Sequence, residues 1–265
     1  MLKGDEAARE AELLLLHVLQ HPRAWLFAHP EAIVDAGDAA RFRSLLARRA
    51  AGEPLAYITG RREFWSLDLD VTPDVLIPRP ETELLVELAL QRIGRDGASE
   101  VADLGTGSGA IALAIAHARP RSRVLATDAS AVALDVAQAN AHRLGLGRVE
   151  FVRGDWFAPL AQRVFDIIVS NPPYVADGDA HLERGDLRFE PRSALASGGD
   201  GLDAIRAIVA GAPAHLLPGG WLLLEHGFEQ GAAVRDLLAK NGFADVFTAL
   251  DLERRERVSG GRWRV

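Results

Sequence analysis

The chain has 265 residues, enough for one large domain or for a large and a small one. It is 48% hydrophobic and 25% charged and contains no cysteine, which excludes a disulfide framework, a thiolate metal site and a cysteine nucleophile. The formal net charge of −7 argues against a protein devoted to gripping a nucleic-acid backbone, and no apolar run reaches the length of a membrane span.

The first elements are helical. "EAAREAELLLLHVLQ" is built from good helix formers, with apolar residues recurring at helical spacing. It follows Asp5 and Glu6 rather than a basic stretch, so it reads as a helix and not as a signal peptide. His21-Pro22 breaks it. "DAARFRSLLARRAAGEP" predicts a second amphipathic helix, with Asp38 as its N-cap and Gly52 and Pro54 as its stop. The basic residues of the first third, Arg41, Arg43, Arg48, Arg49, Arg61 and Arg62, read as solvated helix-face charges. Residues 1–56 thus form a small helical domain with no chemistry of its own. His17, His21 and His29 read there as surface or packing residues.

The texture changes at Tyr57. "YITGRREFWSLDLDVTP" alternates apolar and polar residues, which predicts a β-hairpin connector over residues 57–78. "VLIPRPETELLVELAL" follows, where Glu81, Thr82 and Glu83 open a helix in a capping-like arrangement. From about residue 99 strands and helices alternate. "EVADLG", "RVLATD", "VEFVRGD", "FDIIVSN" and "GGWLLLEHG" read as strands. "GAIALAIAHA", "SAVALDVAQANAHRLG", "DAIRAIVAGAPAHL" and "EQGAAVRDLLAKNG" read as helices, and "ADVFTALD" and "RWRV" as closing strands. Alternation of this kind implies an α/β fold with a mostly parallel sheet covered on both faces, whose ligands sit at the carboxyl ends of the strands.

Four motifs fall at such strand ends. In "VADLGTGSGAIALAIA" a strand runs through Asp103 into Gly105, Gly107 and Gly109 and then a helix, so backbone and helix N-terminus can come close to a ligand. Asp128 ends the next strand, where a carboxylate can accept bonds from both hydroxyls of a ribose; as a bland alternative it caps the following helix, a task Ser130 can also fill. "GDWF" supplies Asp155, which can meet an exocyclic amine, and Trp156, a flat apolar wall or else a plug in the core. These three motifs suit a nicotinamide dinucleotide and S-adenosylmethionine equally. The fourth separates them. Asn171-Pro172-Pro173-Tyr174 offers an amide acceptor, carbonyls held by rigid prolines and a ring, a set fitted to an amide or aromatic amine nitrogen and not to hydride transfer.

"NPPY" together with "DLGTGSGAIALA" resembles the amino-methyltransferases that use S-adenosylmethionine. The fuller set, "PLAYITGRREFWSLDLDVTPDVLIPRPETELLVE", "EPRSALASGGDGLDAIR" and "LLLEHG", looks like the HemK/PrmC-type methyltransferases of peptide chain release factors, from Pro54 to nearly the end of the chain. The resemblance implies a seven-stranded, Rossmann-like class I methyltransferase domain over residues 79–265, behind a substrate-recognition domain at 1–56. It implies S-adenosyl-L-methionine as donor, with S-adenosyl-L-homocysteine as product, and no metal. The acceptor is then the glutamine of the Gly-Gly-Gln motif in class 1 release factors, methylated on its side-chain amide nitrogen. Gly105, Thr106, Gly107, Ser108, Gly109, Asp128, Trp156 and Asn171 would hold the cofactor. Asn171, Pro172, Pro173 and Tyr174 would hold the glutamine, with Asn171, Pro172 and Tyr174 as the catalytic set. A cytoplasmic protein without direct nucleic-acid or membrane partners is expected. The chain departs from the family pattern at Glu253-Arg254, where a small residue or glycine is more usual. Two other substrates share the tetrapeptide: a ribosomal-protein glutamine, and DNA or RNA amino groups. The nucleic-acid reading calls for a target-recognition region and a basic cleft. From a different class, a non-catalytic module with a vestigial cofactor site would need neither Asp128 nor Asn171.

Overall fold

The computed structural model describes residues 4–94 and 97–264. Helices α1 (Asp5–Leu19), α2 (Arg23–Ala28), α3 (Ala36–Ala50) and α4 (Leu55–Thr59) form the N-terminal layer, and residues 1–3 of the proposed helical domain lie outside the described part. α1 ends where Gln20 turns left-handed and Pro22 follows. α3 begins earlier than its periodicity suggests. Asp35, not Asp38, is the N-cap, its carboxylate accepting the Asp38 N–H at 3.0 Å, and Asp38 sits inside the first turn. α2 has six residues, too few for a helical period to show in sequence. Several arginines of the basic cluster are paired with acids: Arg41 with Asp38, Arg48 with Glu53, Arg49 with Glu10 and Asp186, and Arg61 with Asp68 and Asp70.

α4 spans the boundary drawn between residues 56 and 57, because Tyr57 and Ile58 are helical and buried. The hairpin itself is β1 (Arg61–Phe64) and β2 (Leu67–Asp70). Its two-residue turn, Trp65-Ser66, holds both residues at positive φ, 52° and 59°, as a tight antiparallel turn requires. A short 3₁₀ turn at Pro80–Thr82 leads into α5 (Glu83–Arg92). The capping arrangement expected there does not form. Glu83 instead accepts the Trp65 N–H of the hairpin at 2.9 Å, and the Thr82 hydroxyl turns toward Asn171.

The remaining elements are β3 (Glu100–Leu104), α6 (Ala110–Ala118), β4 (Arg123–Asp128), α7 (Ala131–Arg143), β5 (Glu150–Arg153), β6 (Phe165–Ser170), α8 (Asp203–Gly211), β7 (Leu216–Glu225), α9 (Gly231–Lys240), β8 (Phe243–Leu250) and β9 (Glu256–Trp263). The seven-stranded sheet runs β5-β4-β3-β6-β7-β9-β8, parallel except for β9, which is antiparallel to both neighbours. The closing strand expected at "RWRV" starts earlier, at Glu256, and Val265 lies outside the described residues. In the turn before it Arg254 takes φ 62°, a left-handed conformation that glycine adopts without strain. Burial on both faces makes the central strands continuous apolar runs. Val101, Ile167, Val169 and Leu223 face a core under α5 and α6, while Leu104, Ile168, Leu222 and Leu224 face one under α8 and α9. Among the described residues no helix is long and apolar enough to cross a membrane.

Candidate active site

The strand order changes direction between β3 and β6, and a cavity of about 470 Å³ opens at their carboxyl ends. One wall is the glycine loop. Its Gly105 and Thr106 N–H groups both donate to the Thr127 carbonyl at 2.9 Å, which ties the loop to β4. Gly109, at φ 85°, caps α6, and a Cβ there would meet Leu113 and Ala137 at 3.0 and 3.2 Å, so the helix can approach α7 only with glycine at this point. Beneath the loop Asp103 is fully buried. Its Oδ2 accepts the Thr106 hydroxyl at 2.6 Å and the Ala112 N–H at 3.2 Å, while Oδ1 has no partner. Burial pushes this carboxyl up to about 7.

Asp128 lies on the cavity wall. Its Oδ2 accepts the Gly107 N–H and its Oδ1 the Ser130 N–H, both at 2.9 Å, so it braces the glycine loop as well as facing the cavity. Ser130, not Asp128, caps α7, accepting the Ala133 N–H at 3.2 Å. Trp156 answers both readings of its motif. It lines the cavity beside Gly105 and also packs on the core under α8. Thr106, Ser108 and Asp155 line the same cavity, whereas Gly109 lies behind it.

Opposite stands the loop after β6. The Ser170 hydroxyl donates to the Leu104 carbonyl at 2.6 Å, locking the end of β6 to the end of β3. Asn171 follows and lines the cavity, as does Pro173. Asn171 Nδ2 donates to the Thr82 hydroxyl oxygen at 3.2 Å, which leaves Oδ1 as the free acceptor of the amide. Pro172 is buried. Tyr174 does not line this cavity. Its ring packs on the core under α8 and its hydroxyl donates to Glu225 Oε1 at 3.4 Å, so it supports the loop from behind. Burial is the largest cause of the raised pKa of the Tyr174 phenol, followed by the Glu225 charge, so the ring stays neutral.

Several residues of this site have no role assigned by the four motifs. Arg79, from "IPRPETE", lines the cavity and pairs at 2.5 Å with Glu190, whose side chain is fully buried. Burial raises the Glu190 pKa against the opposing effect of Arg79. Asn140 of α7 is fully buried. Its amide bonds the Asp70 backbone of the hairpin through both ends, 2.6 and 2.9 Å, and the Ser108 carbonyl at 3.0 Å. A lone Asn in a helical run gives no hint of that staple. Val175 pairs with Leu195 and Ser197 through backbone bonds of 2.9 Å, which brings "EPRSALAS" alongside the tetrapeptide. Gly201, at φ 75°, packs directly on the Tyr174 carbonyl, which also accepts the Gln230 side-chain N–H at 3.0 Å.

Known proteins share this architecture. The family model described as the PrmC N-terminal domain matches residues 2–60, and that of the methyltransferase small domain matches residues 80–200. A release factor glutamine methyltransferase of Xylella fastidiosa strain Temecula1 is 59% identical over 96% of this chain and 92% of its own length. One of Pseudomonas aeruginosa is 54% identical over 98% of this chain and 94% of its own. Among solved structures, a methyltransferase from Pyrococcus furiosus shares the fold, with a TM-score of 0.58 at 19% identity over 83% of this chain and 98% of that one.

Proposed function

The chain belongs to the release factor glutamine methyltransferases, and we propose that it methylates the side-chain amide nitrogen of the glutamine in the Gly-Gly-Gln motif of class 1 release factors. It is an S-adenosylmethionine-dependent protein-glutamine N-methyltransferase. The observation that carries the amide reading is Asn171. Its nitrogen is held by Thr82, so its oxygen is left to face the cavity as an acceptor for a substrate N–H.

The residues present fit the cofactor. The glycine loop gives a close-approach backbone surface, Asp128 an acceptor for a ribose hydroxyl, and Trp156 a flat wall for a base, around a cavity of about 470 Å³. When bound, S-adenosylmethionine supplies an electrophilic methyl group. What the chain itself supplies is position and electrostatics. An amide nitrogen is a weak nucleophile because its lone pair is delocalised into the carbonyl. Asn171 Oδ1 and the Pro172 carbonyl accept the two N–H bonds of the substrate amide and return electron density to its nitrogen. Pro173 narrows the cavity beside them. Tyr174 holds this loop through its hydroxyl and its packing. No strong base is needed, since the nitrogen loses its proton after it has become cationic. A release-factor substrate goes with action in the cytoplasm, without direct nucleic-acid or membrane partners.

The test is to incubate the protein with labelled S-adenosylmethionine and, in separate arms, release factor, ribosomal proteins and DNA, and to locate the methyl by mass spectrometry. Label on the release-factor glutamine is expected. Label confined to a ribosomal protein or to DNA overturns the assignment.

Asp128→Ala is expected to raise the Kd for S-adenosylmethionine by roughly tenfold or more, measured by calorimetry. Part of that loss comes from the Gly107 N–H, which the carboxylate holds at 2.9 Å. An unchanged affinity rejects the ribose assignment.

A further inference from the structure

Gln230 closes the turn between β7 and α9, and the reaction described above assigns it nothing. It is the N-cap residue of α9, yet its side chain makes no capping bond there. The side chain folds back over its own turn instead. Its Oε1 accepts the Gly227 N–H at 2.8 Å, which turns the amide nitrogen toward the substrate loop. Nε2 then donates to the Tyr174 carbonyl at 3.0 Å and to the Asp200 carbonyl at 3.3 Å. One amide thus joins three loops: the substrate loop after β6, the "SGGDG" turn before α8 and the turn after β7. Both of its N–H donors are used and its oxygen is occupied, so the surrounding backbone sets its orientation.

The contact falls where the substrate loop has little of its own to hold it. Pro172 and Pro173 carry no N–H, so the middle of the loop cannot be pinned by its own amides. Its ends are tied by the Ser170 hydroxyl on the Leu104 carbonyl at 2.6 Å and by the Val175 N–H on the Leu195 carbonyl at 2.9 Å. Between those ties Gln230 holds the Tyr174 carbonyl, and Gly201, next to Asp200, packs on the same atom. The proline rings fix φ at about −65°, so a shift of the Tyr174 peptide passes back to Pro172 and Asn171 rather than being absorbed between them. We propose that Gln230 is a positioning residue that sets, through the Tyr174 carbonyl, where the Asn171 oxygen and the Pro172 carbonyl stand when they receive the substrate amide. The proposal deepens the glutamine reading above and rests on it. A glutamine kept only to start α9 would turn its side chain to the free N–H groups of that helix.

The experiment measures kcat and KM on release factor, cofactor Kd and Tm for Gln230→Glu and Gln230→Met, each alone and in an Asn171→Ala background. Gln230→Glu keeps the size and the acceptor but sets a second oxygen against the Tyr174 carbonyl. Gln230→Met keeps the length without any hydrogen bond, and it decides the matter should the first variant lose its fold. Gln230→Glu is expected to lose roughly tenfold to a hundredfold in kcat, and Gln230→Met roughly threefold to thirtyfold. Cofactor Kd should stay within about twofold, because the hydrogen bonds of Gln230 go to Gly227, Tyr174 and Asp200 and not to the glycine loop or Asp128. In the Asn171→Ala background the same changes should cost less than about threefold further, since the oxygen they misplace is gone. Full kcat in the folded variants, with or without a lower Tm, overturns the proposal. So does a cofactor Kd that worsens in step with kcat, or a loss that multiplies in the Asn171→Ala background. Wild-type turnover on release factor, run in the same series, tests the glutamine reading, while the ratios of variant to wild type test the role of Gln230.

Discussion

Asn171→Ala should lower kcat on release factor by roughly 10²- to 10³-fold, the range seen when one preorganised hydrogen-bonding group is removed from a reacting centre. The truncation deletes the acceptor that faces the cavity and frees the Thr82 hydroxyl from its 3.2 Å partner. Cofactor affinity should fall by less than about tenfold, because the backbone of the glycine loop, Asp128 and Trp156 remain in place. Single-turnover methyl transfer with labelled donor separates the two effects. Turnover near that of the wild type would show that the Asn171 oxygen does not hold the substrate nitrogen.

Gly201→Ala is expected to be nearly as damaging by another route. At φ 75° an alanine is strained, and its Cβ would press into the Tyr174 carbonyl oxygen while lying 2.9 Å from Gln230 Nε2. Left-handed strain of about 1–2 kcal/mol and overpacking of about 1–3 kcal/mol together suggest a loss of about 2–5 kcal/mol in stability. The Tyr174 carbonyl is the back of the substrate loop, so relief by backbone movement would displace Asn171 and Pro172. A lower Tm with a loss of kcat larger than the loss of cofactor affinity is the expected pattern. Chemical denaturation and calorimetry on the purified variant measure it, and an unaltered Tm with full activity would contradict the packing described here.

The sequence made the parallel sheet and its two covered faces legible because buried strands such as Phe165–Ser170 are short, mostly apolar runs ended by glycine, asparagine or proline. It made the glycine loop, Asp128 and Asn171 legible because each ends a strand, where an α/β sheet binds ligands. What escaped was of two kinds. Short elements such as α2 lie below the length at which a period registers. Polar residues with ordinary local readings were drawn into distant contacts. Thr82 and Glu83 look like helix-capping residues, yet one meets Asn171 and the other the hairpin. Asn140 looks like an exposed helical amide, yet it staples the hairpin to the glycine loop. Tyr174 looks like a stacking platform for a substrate, yet it is drawn inward by Glu225 and the core. Local propensity cannot foresee such contacts because the partners lie on other strands.

The strand order also sets a sequence of events during synthesis. Asp103, the glycine loop and Asp128 leave the ribosome early, and β3 and β4 can pair as soon as α6 has formed between them. The strand that leads into Asn171 gains its second neighbour only when β7 adds alongside β6, and β7 in turn is flanked by β9, the last of the described strands. The glycine loop and Asp128 therefore precede in the chain the strand that completes the surroundings of Asn171. The surroundings of Asn171 are complete only when the C-terminal strands have closed the sheet, a non-local step late in the chain.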